Sequence, residues 1–388
     1  MFTVNQNNFF IAIVYIILPI IAFIVRASVD QPNIQILFDI TLALLAFACG
    51  VSFYLGNRSA KKFVYIIGWI ISVVSLILIV KAVALIFFSN KMPLFYFYPL
   101  VMELKPIIYV VISLWIMSVW GVPDTKVFAK YGAVLSVLLI LTTIVFSIKE
   151  GHIVRPSLLS EANYDGFLVL LAFIACLLEK PKYFLFYVFL FGAATIITGS
   201  RTGIASFGLI ILSYIVINRK YKYLFPAIIF SIAGGAMVAQ RLTNVSDLND
   251  LDRVLMWLSF FSVVNDISIT EIVFGNFPGV PIRMTDPFIQ WYINSMGDKI
   301  NITGLHAFMY HGMHLRLLLT WGLIPLIFAL FFIASKSMAR DKKIMLFFLI
   351  LFQGTSMGII YLSVVAAPLI FFIYSGKTNS HDGDISHE

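Results

Sequence analysis

The chain has 388 residues, of which 61% are hydrophobic and only 12% charged, and it carries a formal net charge of +8. A soluble core of this size does not need so much apolar surface, and the apolar runs are continuous rather than alternating, which excludes a transmembrane β-barrel. The two cysteines, Cys49 and Cys176, both lie inside apolar runs, so they indicate neither a disulfide framework nor a metal site.

The first apolar run, residues 9–25, follows no Lys or Arg and precedes no small-residue cleavage site, which favours a retained membrane span over a signal peptide. A full crossing needs about 17–25 helical residues. The twelve predicted spans, some of them short, are 9–25, 34–55, 63–88, 106–122, 131–147, 166–178, 183–198, 203–217, 224–238, 315–335, 344–358 and 361–375. The sequence thus predicts an all-α polytopic integral membrane protein with about 12 transmembrane helices.

Lysine and arginine concentrate in alternate loops between these spans, and loops of that kind face the cytoplasm. Together with Lys377 in the C-terminal tail, these loops hold more than half of the chain's 27 basic residues. The basic residues concerned are Arg58, Lys61, Lys62, Lys126, Lys130, Lys180, Lys182, Arg219, Lys220, Lys222, Lys336, Arg340, Lys342, Lys343 and Lys377. Both termini are therefore predicted to be cytoplasmic, and the positive net charge is mostly a topology signal.

Four parts follow from this topology. Residues 1–238 hold spans 1–9, residues 239–314 form a large outer loop between spans 9 and 10, and residues 315–375 hold spans 10–12. Residues 376–388 form a polar cytoplasmic tail that we expect to be disordered. The large loop is mildly acidic and has no clustered basic surface, so we expect no nucleic acid as a partner.

The turn TGSRTG, residues 198–203, joins two predicted helices that are shorter than a full span of about 20 residues. Ser200 is placed to cap the second helix, which would leave free backbone N–H groups beside Arg201. A helix N-terminus next to a guanidinium group suits a phosphate. The alternative is an arginine that reaches the membrane interface and anchors the hairpin.

The outer loop RPSLLSEANYDG begins at Arg155 and contains Glu161, Asn163 and Tyr164 before Gly166, where the next helix is expected to open. An arginine and a carboxylate six residues apart could bind a leaving anion and activate a hydroxyl group. Spacing alone, however, favours an ordinary surface salt bridge.

Two further segments combine polar groups with apolar helices. Arg253 and Trp257 in DRVLMW share one face of a predicted helix, although an amphipathic helix on the membrane surface explains them equally well. In HGMHLRLLLTWG, His311 and His314 are expected on one face of a helix that enters the membrane, close to Arg316. No third residue has zinc-site spacing, so no metal is expected. A histidine here can accept a proton from a hydroxyl group, or it can be incidental to a polar helix start.

Four of these segments also carry a family resemblance. GSRTG is similar to a Ser-Arg turn, and RPSLLSEANYDG to a loop of Arg followed by Ser-Glu-Pro-Asn, with Ala162 in place of proline. HGMHLRLLLTWG keeps a His–Gly spacing of eleven, from His311 to Gly322, but has Gly312 in place of asparagine. DRVLMW, followed by FGNFPG, resembles an Arg-x-x-x-Trp segment. In their order along the chain, these four motifs resemble those of the O-antigen polymerase and O-antigen ligase superfamily of bacterial inner-membrane proteins.

The resemblance implies glycosyl transfer at the periplasmic face of the inner membrane. An O-antigen polymerase joins oligosaccharide repeat units that are linked to undecaprenyl diphosphate, for lipopolysaccharide synthesis. It would need no nucleotide sugar, and no metal or other cofactor is expected. Membrane lipid, a chain-length regulator and a flippase are the further partners that the resemblance suggests.

The resemblance also implies roles for individual residues. The diphosphate-binding candidates are Arg155, Arg201 and Arg253. The catalytic candidates are His311 or Glu161 as the base, and Arg253. The secondary candidates are His314, Arg316 and Tyr164.

Three other functions remain open. An O-antigen ligase, which transfers the glycan to a lipid A core, would use the same donor; the Arg155–Gly166 spacing and the scarcity of basic residues in the large loop favour the polymerase. A flippase or transporter would carry ionisable groups near the bilayer centre and internal repeats, whereas only Asp39 and Lys81 lie inside apolar runs. A structural subunit would not explain the large outer loop.

Overall fold

The protein is described by a computed structural model, which covers residues 6–26, 34–55, 61–88, 95–221, 252–296, 302–323 and 339–376, with isolated positions at 224–235 and 327. In these residues the chain is helical and forms no β-strand beyond isolated bridges. Seven of the described helices are long and apolar enough to cross a membrane. The chain is therefore a helical membrane protein, as predicted. The count of twelve spans stays a prediction, because residues 224–238 lie largely outside the described ranges. The predicted span 315–335 is wrong as one continuous helix, since the helix that begins at Met313 ends at Trp321, where Gly322 has positive φ.

The first span combines α1 (Gln6–Ala12), a π-helical turn (Ile13–Ile17) and α2 (Leu18–Arg26). The following helices are α3 (Ile34–Tyr54), α4 (Lys61–Phe88), α5 (Phe97–Trp120), α6 (Thr125–Glu150), α7 (Ala162–Glu179), α8 (Phe184–Thr198) and α9 (Arg201–Asn218). The later helices are α10 (Asp252–Asp266), α11 (Ile269–Phe274), α12 (Pro287–Met296), α13 (Met313–Trp321), α14 (Arg340–Gly354) and α15 (Ser363–Tyr374). Short 3-10 turns occupy Ala307–Met309 and Ile359–Tyr361.

Helix α5 begins at Phe97, nine residues before the span that the sequence predicted from residue 106. The extra turns contain Glu103, whose charge would ordinarily end a membrane span. The helix tolerates it because Glu103 is buried against Arg316 in an ion pair of 2.9 Å.

The chain divides into two compact units. Unit 1 comprises Met1–Val64, Ile112–Thr198 and Ala367–Glu388, and unit 2 comprises Tyr65–Val111 and Gly199–Ala366. In unit 1, α7 packs against α6 and α8, and its residues 164–177 are all buried. The Tyr15 hydroxyl donates a hydrogen bond of 3.1 Å to the Leu168 carbonyl, which ties the first span to this central helix.

In unit 2, α9 packs against α14, and the described part of the predicted large loop has a hydrophobic core of its own. Helix α10 contributes Met256, Phe260 and Val263 at helical spacing, and α12 contributes Phe288 and Tyr292. The turn that precedes α13 adds further buried residues: Leu305, Ala307, Phe308, Met309 and Tyr310. This packing gives the segment before α13 a fixed position.

Candidate functional site

Arg155 lies in unit 1 on the loop between α6 and α7, where its side chain is exposed but held in place. Its Nε donates a hydrogen bond of 2.9 Å to the carbonyl oxygen of Thr198, and its Nη2 donates one of 3.0 Å to Oδ1 of Asn163. Thr198 is the last residue of α8. The guanidinium group is thus preorganised between the loop and the end of α8, as an anion-binding arginine requires.

Two residues that the sequence analysis did not select hold this loop. The buried carboxylate of Asp165, in the first turn of α7, accepts hydrogen bonds from the backbone N–H groups of Leu158 at 2.7 Å and Leu159 at 3.2 Å. Arg26, at the end of α2, donates one of 2.8 Å to the Ser157 carbonyl. The available signal for Asp165 was an acidic residue at the start of an apolar run, which predicts bonds to the N–H groups of the helix start and not the bonds to the loop that Asp165 makes.

The structure places the other three residues of this motif in different environments. They are Glu161, Tyr164 and Gly166. Helix α7 begins at Ala162, so the predicted start at Gly166 is wrong by one turn. Glu161 is the exposed N-cap residue, and its side chain makes no capping hydrogen bond. Tyr164 is buried. Gly166 lies inside α7, where a Cβ would be 3.1 Å from Oγ1 of Thr198, so this glycine permits close packing of α7 on α8.

Ser200 caps α9 in unit 2, as the sequence predicted. Its Oγ accepts a hydrogen bond of 3.1 Å from the backbone N–H of Gly203. Arg201 is the first residue of the helix and is half-buried. A guanidinium group therefore lies at a capped helix N-terminus, the combination that suits an anion.

A polar turn at residues 353–358, at the C-terminal end of α14, contacts both α9 and the segment at the start of α13. The Thr202 hydroxyl donates to Oε1 of Gln353 at 3.3 Å and lies 3.0 Å from the Ser356 hydroxyl. The backbone N–H of Met313 donates a hydrogen bond of 3.1 Å to the Met357 carbonyl. Within unit 2, the starts of α9 and α13 therefore both contact this turn, so Arg201 and His311 belong to segments that border it.

His311 and His314 do not share a helix face, contrary to the sequence prediction. Helix α13 begins at Met313 after the N-cap residue Gly312, so His311 precedes it. His311 is exposed, with its ring 6.4 Å from that of Tyr292. His314 is half-buried, and its Nε2 lies 3.1 Å from the Leu351 carbonyl, which indicates a packing role. In the described ranges no three His, Cys, Asp or Glu residues could hold a metal ion.

Arg316 is buried and engaged within unit 2. Its Nη2 donates to Oε1 of Glu103 at 2.9 Å and to the Met102 carbonyl at 3.3 Å. Its guanidinium carbon lies 3.4 Å from the centre of the Tyr361 ring. Because Glu103 neutralises its charge away from solvent, Arg316 is a poor candidate for binding a diphosphate.

Arg253 belongs to α10, but its side chain lies outside the described part of the structure. Trp257, four residues later, contacts the rings of Phe260 and Phe261 with centroids 5.7 and 5.6 Å apart. The predicted helix at this motif is confirmed, whereas the proposed role of Arg253 stays a prediction.

Comparison with known protein families, with characterised proteins and with solved structures gives no match. The resemblance to the O-antigen superfamily therefore rests on the motifs alone. The function follows as a proposal from those motifs and from the arrangement of residues within each unit.

Proposed function

We propose that this protein is an O-antigen polymerase that acts at the periplasmic face of the bacterial inner membrane. Its substrates are oligosaccharide repeat units linked to undecaprenyl diphosphate, and its product is the lipid-linked polymer used for lipopolysaccharide. The motifs suggest this class of reaction. The arrangement of an arginine and a histidine in unit 2 supports it.

The observation that carries the proposal is the polar turn at residues 353–358. It contacts the start of α9, which bears Arg201, and the start of α13, which follows His311. An arginine at a helix N-terminus suits a phosphate group, and an exposed histidine suits proton transfer. Both groups thus belong to segments that contact the same turn.

The chemistry that we assign to these residues is a single displacement. The hydroxyl oxygen of the acceptor sugar attacks the anomeric carbon of the donor, and the bond between that carbon and the diphosphate oxygen breaks. The electron pair leaves with the lipid diphosphate, and the hydroxyl proton passes to His311. Arg201 stabilises the negative charge that develops on the leaving group, a kind of contribution worth about 10²–10³ in rate.

Arg155 and Glu161 are the candidates in unit 1. Arg155 is exposed and fixed by Thr198 and Asn163, which suits a second contact to the diphosphate. Glu161 is exposed at the start of α7 and is the alternative base. Arg253 keeps its proposed role at the leaving group, and Tyr164 is disfavoured because it is buried.

The second candidate function is the O-antigen ligase, because an arginine and a histidine would serve the same donor in both reactions. The polymerase is favoured by the loop from Arg155 to Gly166, which resembles that branch more closely. A flippase is disfavoured because the buried charge of Arg316 is neutralised by Glu103.

Lipopolysaccharide gels test the proposal. A strain that lacks this gene should show core plus a single repeat unit, and wild-type protein should restore the ladder. His311→Ala and Arg201→Ala should fail to restore it while reaching the membrane at normal levels. His152→Ala is the matched control, because His152 is an exposed histidine that pairs with Glu150 and has no role in the proposed reaction. Bare core in the deletion strain indicates the ligase or an upstream failure, and an unchanged ladder contradicts any role in glycan synthesis.

A further inference from the structure

Gln353, the next-to-last residue of α14, is a fully buried amide in unit 2. A buried amide needs hydrogen-bond partners for its oxygen and for its nitrogen. Gln353 finds both partners on α9. Its Oε1 accepts a hydrogen bond of 3.3 Å from the Thr202 hydroxyl, and its Nε2 donates one of 3.3 Å to Oγ of Ser206. Both polar atoms of this side chain therefore bind the same neighbouring helix.

The two contacts lie on consecutive turns of α9. Thr202 and Ser206 are four residues apart, so their side chains share one face of the helix. Two contacts one turn apart fix the rotation of α9 about its own axis as well as its position along α14. Arg201 directly precedes Thr202 at the start of α9. Gln353 therefore sets the orientation of the helix turn from which Arg201 projects.

The end of α14 also lies directly against the start of α13. A Cβ at Gly354 would be 2.6 Å from Nε2 of His314, so only a residue without a side chain fits there. A Cβ at Gly312 would be 3.0 Å from the Thr355 carbonyl oxygen, which is a similarly close approach. His311 immediately precedes Gly312. The segment of His311 is therefore packed against the last residues of α14.

Backbone hydrogen bonds continue the connection from Gln353 to α13. The Gln353 carbonyl accepts a hydrogen bond of 3.0 Å from the N–H of Met357. The Met357 carbonyl in turn accepts one of 3.1 Å from the N–H of Met313, the first residue of α13. Gln353 thus contacts α9 through its side chain and is connected to α13 through its backbone. Its side chain is the part of this connection that a substitution can remove while the backbone stays the same.

The opposite ends of α9 and α14 are joined separately. Nδ2 of Asn218, the last residue of α9, donates a hydrogen bond of 3.1 Å to Oδ2 of Asp341 in the first turn of α14. Asn218 is sixteen residues after Thr202, which is about 24 Å along a helix. This second amide also holds the two helices together, but it lies far from the start of α9.

We propose that Gln353 is a positioning residue that holds Arg201 in a fixed relation to His311. It acts through α9 and thereby aligns the contact to the leaving diphosphate with the base. This role in the reaction rests on the proposed function, whereas the structural connection between α9 and α13 does not. A misplacement of about 1 Å can reduce the rate of an aligned reaction about 100-fold, so the loss should appear in kcat.

Three variants test the proposal. Gln353→Met removes both hydrogen bonds to α9 at similar side-chain volume. Ser206→Ala removes one of them from the other partner, and it is a smaller change if Gln353→Met does not fold. Asn218→Ala is the matched control, because it removes the amide that joins the same two helices at their far end. The purified proteins would be compared for transfer of the lipid-linked repeat unit at limiting and saturating concentrations, and for Tm in detergent.

A distance measurement provides a readout that needs no substrate. Spin labels would be attached at Ala205→Cys, an exposed position near the start of α9, and at His311→Cys, in a background without Cys49 and Cys176. Electron paramagnetic resonance then gives the distribution of distances between the two labels. Each of the three variants would be compared with the otherwise unchanged labelled protein.

The proposal predicts that Gln353→Met lowers kcat about tenfold or more with little change in KM, because alignment rather than substrate binding is lost. Ser206→Ala should lose less, and the double variant should be no slower than Gln353→Met, as expected for two groups that act through one contact. The distance distribution should be broader in Gln353→Met than in Asn218→Ala, whose kcat should be close to that of the wild type.

Equal distance distributions in Gln353→Met and Asn218→Ala would overturn the proposal, and so would a broader distribution with unchanged kcat. If Gln353→Met does not fold, the comparison of Ser206→Ala with Asn218→Ala decides in the same way. The proposed polymerase activity is tested separately by the deletion strain. A normal ladder in that strain, together with a broader distribution in Gln353→Met, would contradict the polymerase and leave the connection between α9 and α13 in place.

Discussion

Gly275 and Gly322 lie backbone against backbone in unit 2, and neither position has room for a side chain. A Cβ at Gly275 would overlap the Thr320 carbonyl, and one at Gly322 would overlap the Val273 carbonyl. Both residues also have positive φ, 73° and 88°. The glycine eleven residues after His311 is therefore explained by a backbone crossing that ends α13.

Gly322→Ala and Gly275→Ala should each destabilise the protein by about 1–3 kcal/mol, because a side chain there meets both steric overlap and an unfavourable φ. The measurement is Tm of the purified variants in detergent. Gly68→Ala is the control, since a Cβ at that position of α4 has no neighbour within 4 Å and alanine favours the helix. A Tm for Gly322→Ala no lower than that of Gly68→Ala would show that the crossing is absent.

The buried pair of Glu103 and Arg316 should behave non-additively on substitution. Replacing one partner leaves an uncompensated buried charge, at a cost of about 3–5 kcal/mol, whereas replacing both by apolar residues is often close to neutral. We expect low Tm for Glu103→Met and for Arg316→Met, and recovery of most of the loss in the double variant. The more exposed pair of Arg283 and Asp266 is the control, where a coupling of about 0–1 kcal/mol is expected. Additive losses at Glu103 and Arg316 would rule out the pair.

Asp165 should be required for the order of the loop that carries Arg155. In Asp165→Asn one acceptor oxygen is replaced by an NH₂ group that faces a backbone N–H, so one of the hydrogen bonds to Leu158 and Leu159 is lost. We expect faster proteolysis within residues 155–161 and transfer reduced about tenfold or more. Glu150→Gln, at an exposed carboxylate, is the control. An Asp165→Asn variant with wild-type proteolysis would contradict a role in ordering the loop.

His306 should make stability depend on pH. Burial lowers its pKa from 6.5 to about 4, so between these values the unfolded chain binds a proton that the folded chain does not. The free energy of unfolding should therefore fall as the pH is lowered from about 6.5 to about 4, and the loss should be complete below the folded pKa. In His306→Gln the decline of Tm over this range should be shallower by the contribution of one proton. Parallel profiles for the two proteins would show that His306 is not buried in its neutral form.

Local features were predictable from the sequence, and tertiary ones were not. Ser200 as an N-cap followed from a serine before an apolar run, because capping depends on neighbouring residues only. The start of α13 after His311 could not be predicted, since it depends on the hydrogen bond between Met313 and Met357. The spacing of the motif predicted that His311 and His314 share one helix face, although the helix begins between them.

Most of the remaining differences between the predicted and the observed structure involve charged residues whose partners are distant in sequence. Glu103 and Arg316 are 213 residues apart, and no spacing rule connects them. Without that partner, Glu103 resembles a residue that ends a span, and the predicted start of α5 was placed too late. The hydrogen bonds of Arg26 and Lys81 could not be predicted either, because their partners are backbone carbonyls on distant segments.

The most direct test of the central claim uses purified protein in lipid nanodiscs with the lipid-linked repeat unit as the only substrate. The proposal predicts lipid-linked glycans of two or more repeats, and their loss in His311→Ala and Arg201→Ala but not in His152→Ala. No lengthening by folded wild-type protein, together with transfer of the glycan when a lipid A core is added, would contradict the polymerase and indicate the ligase.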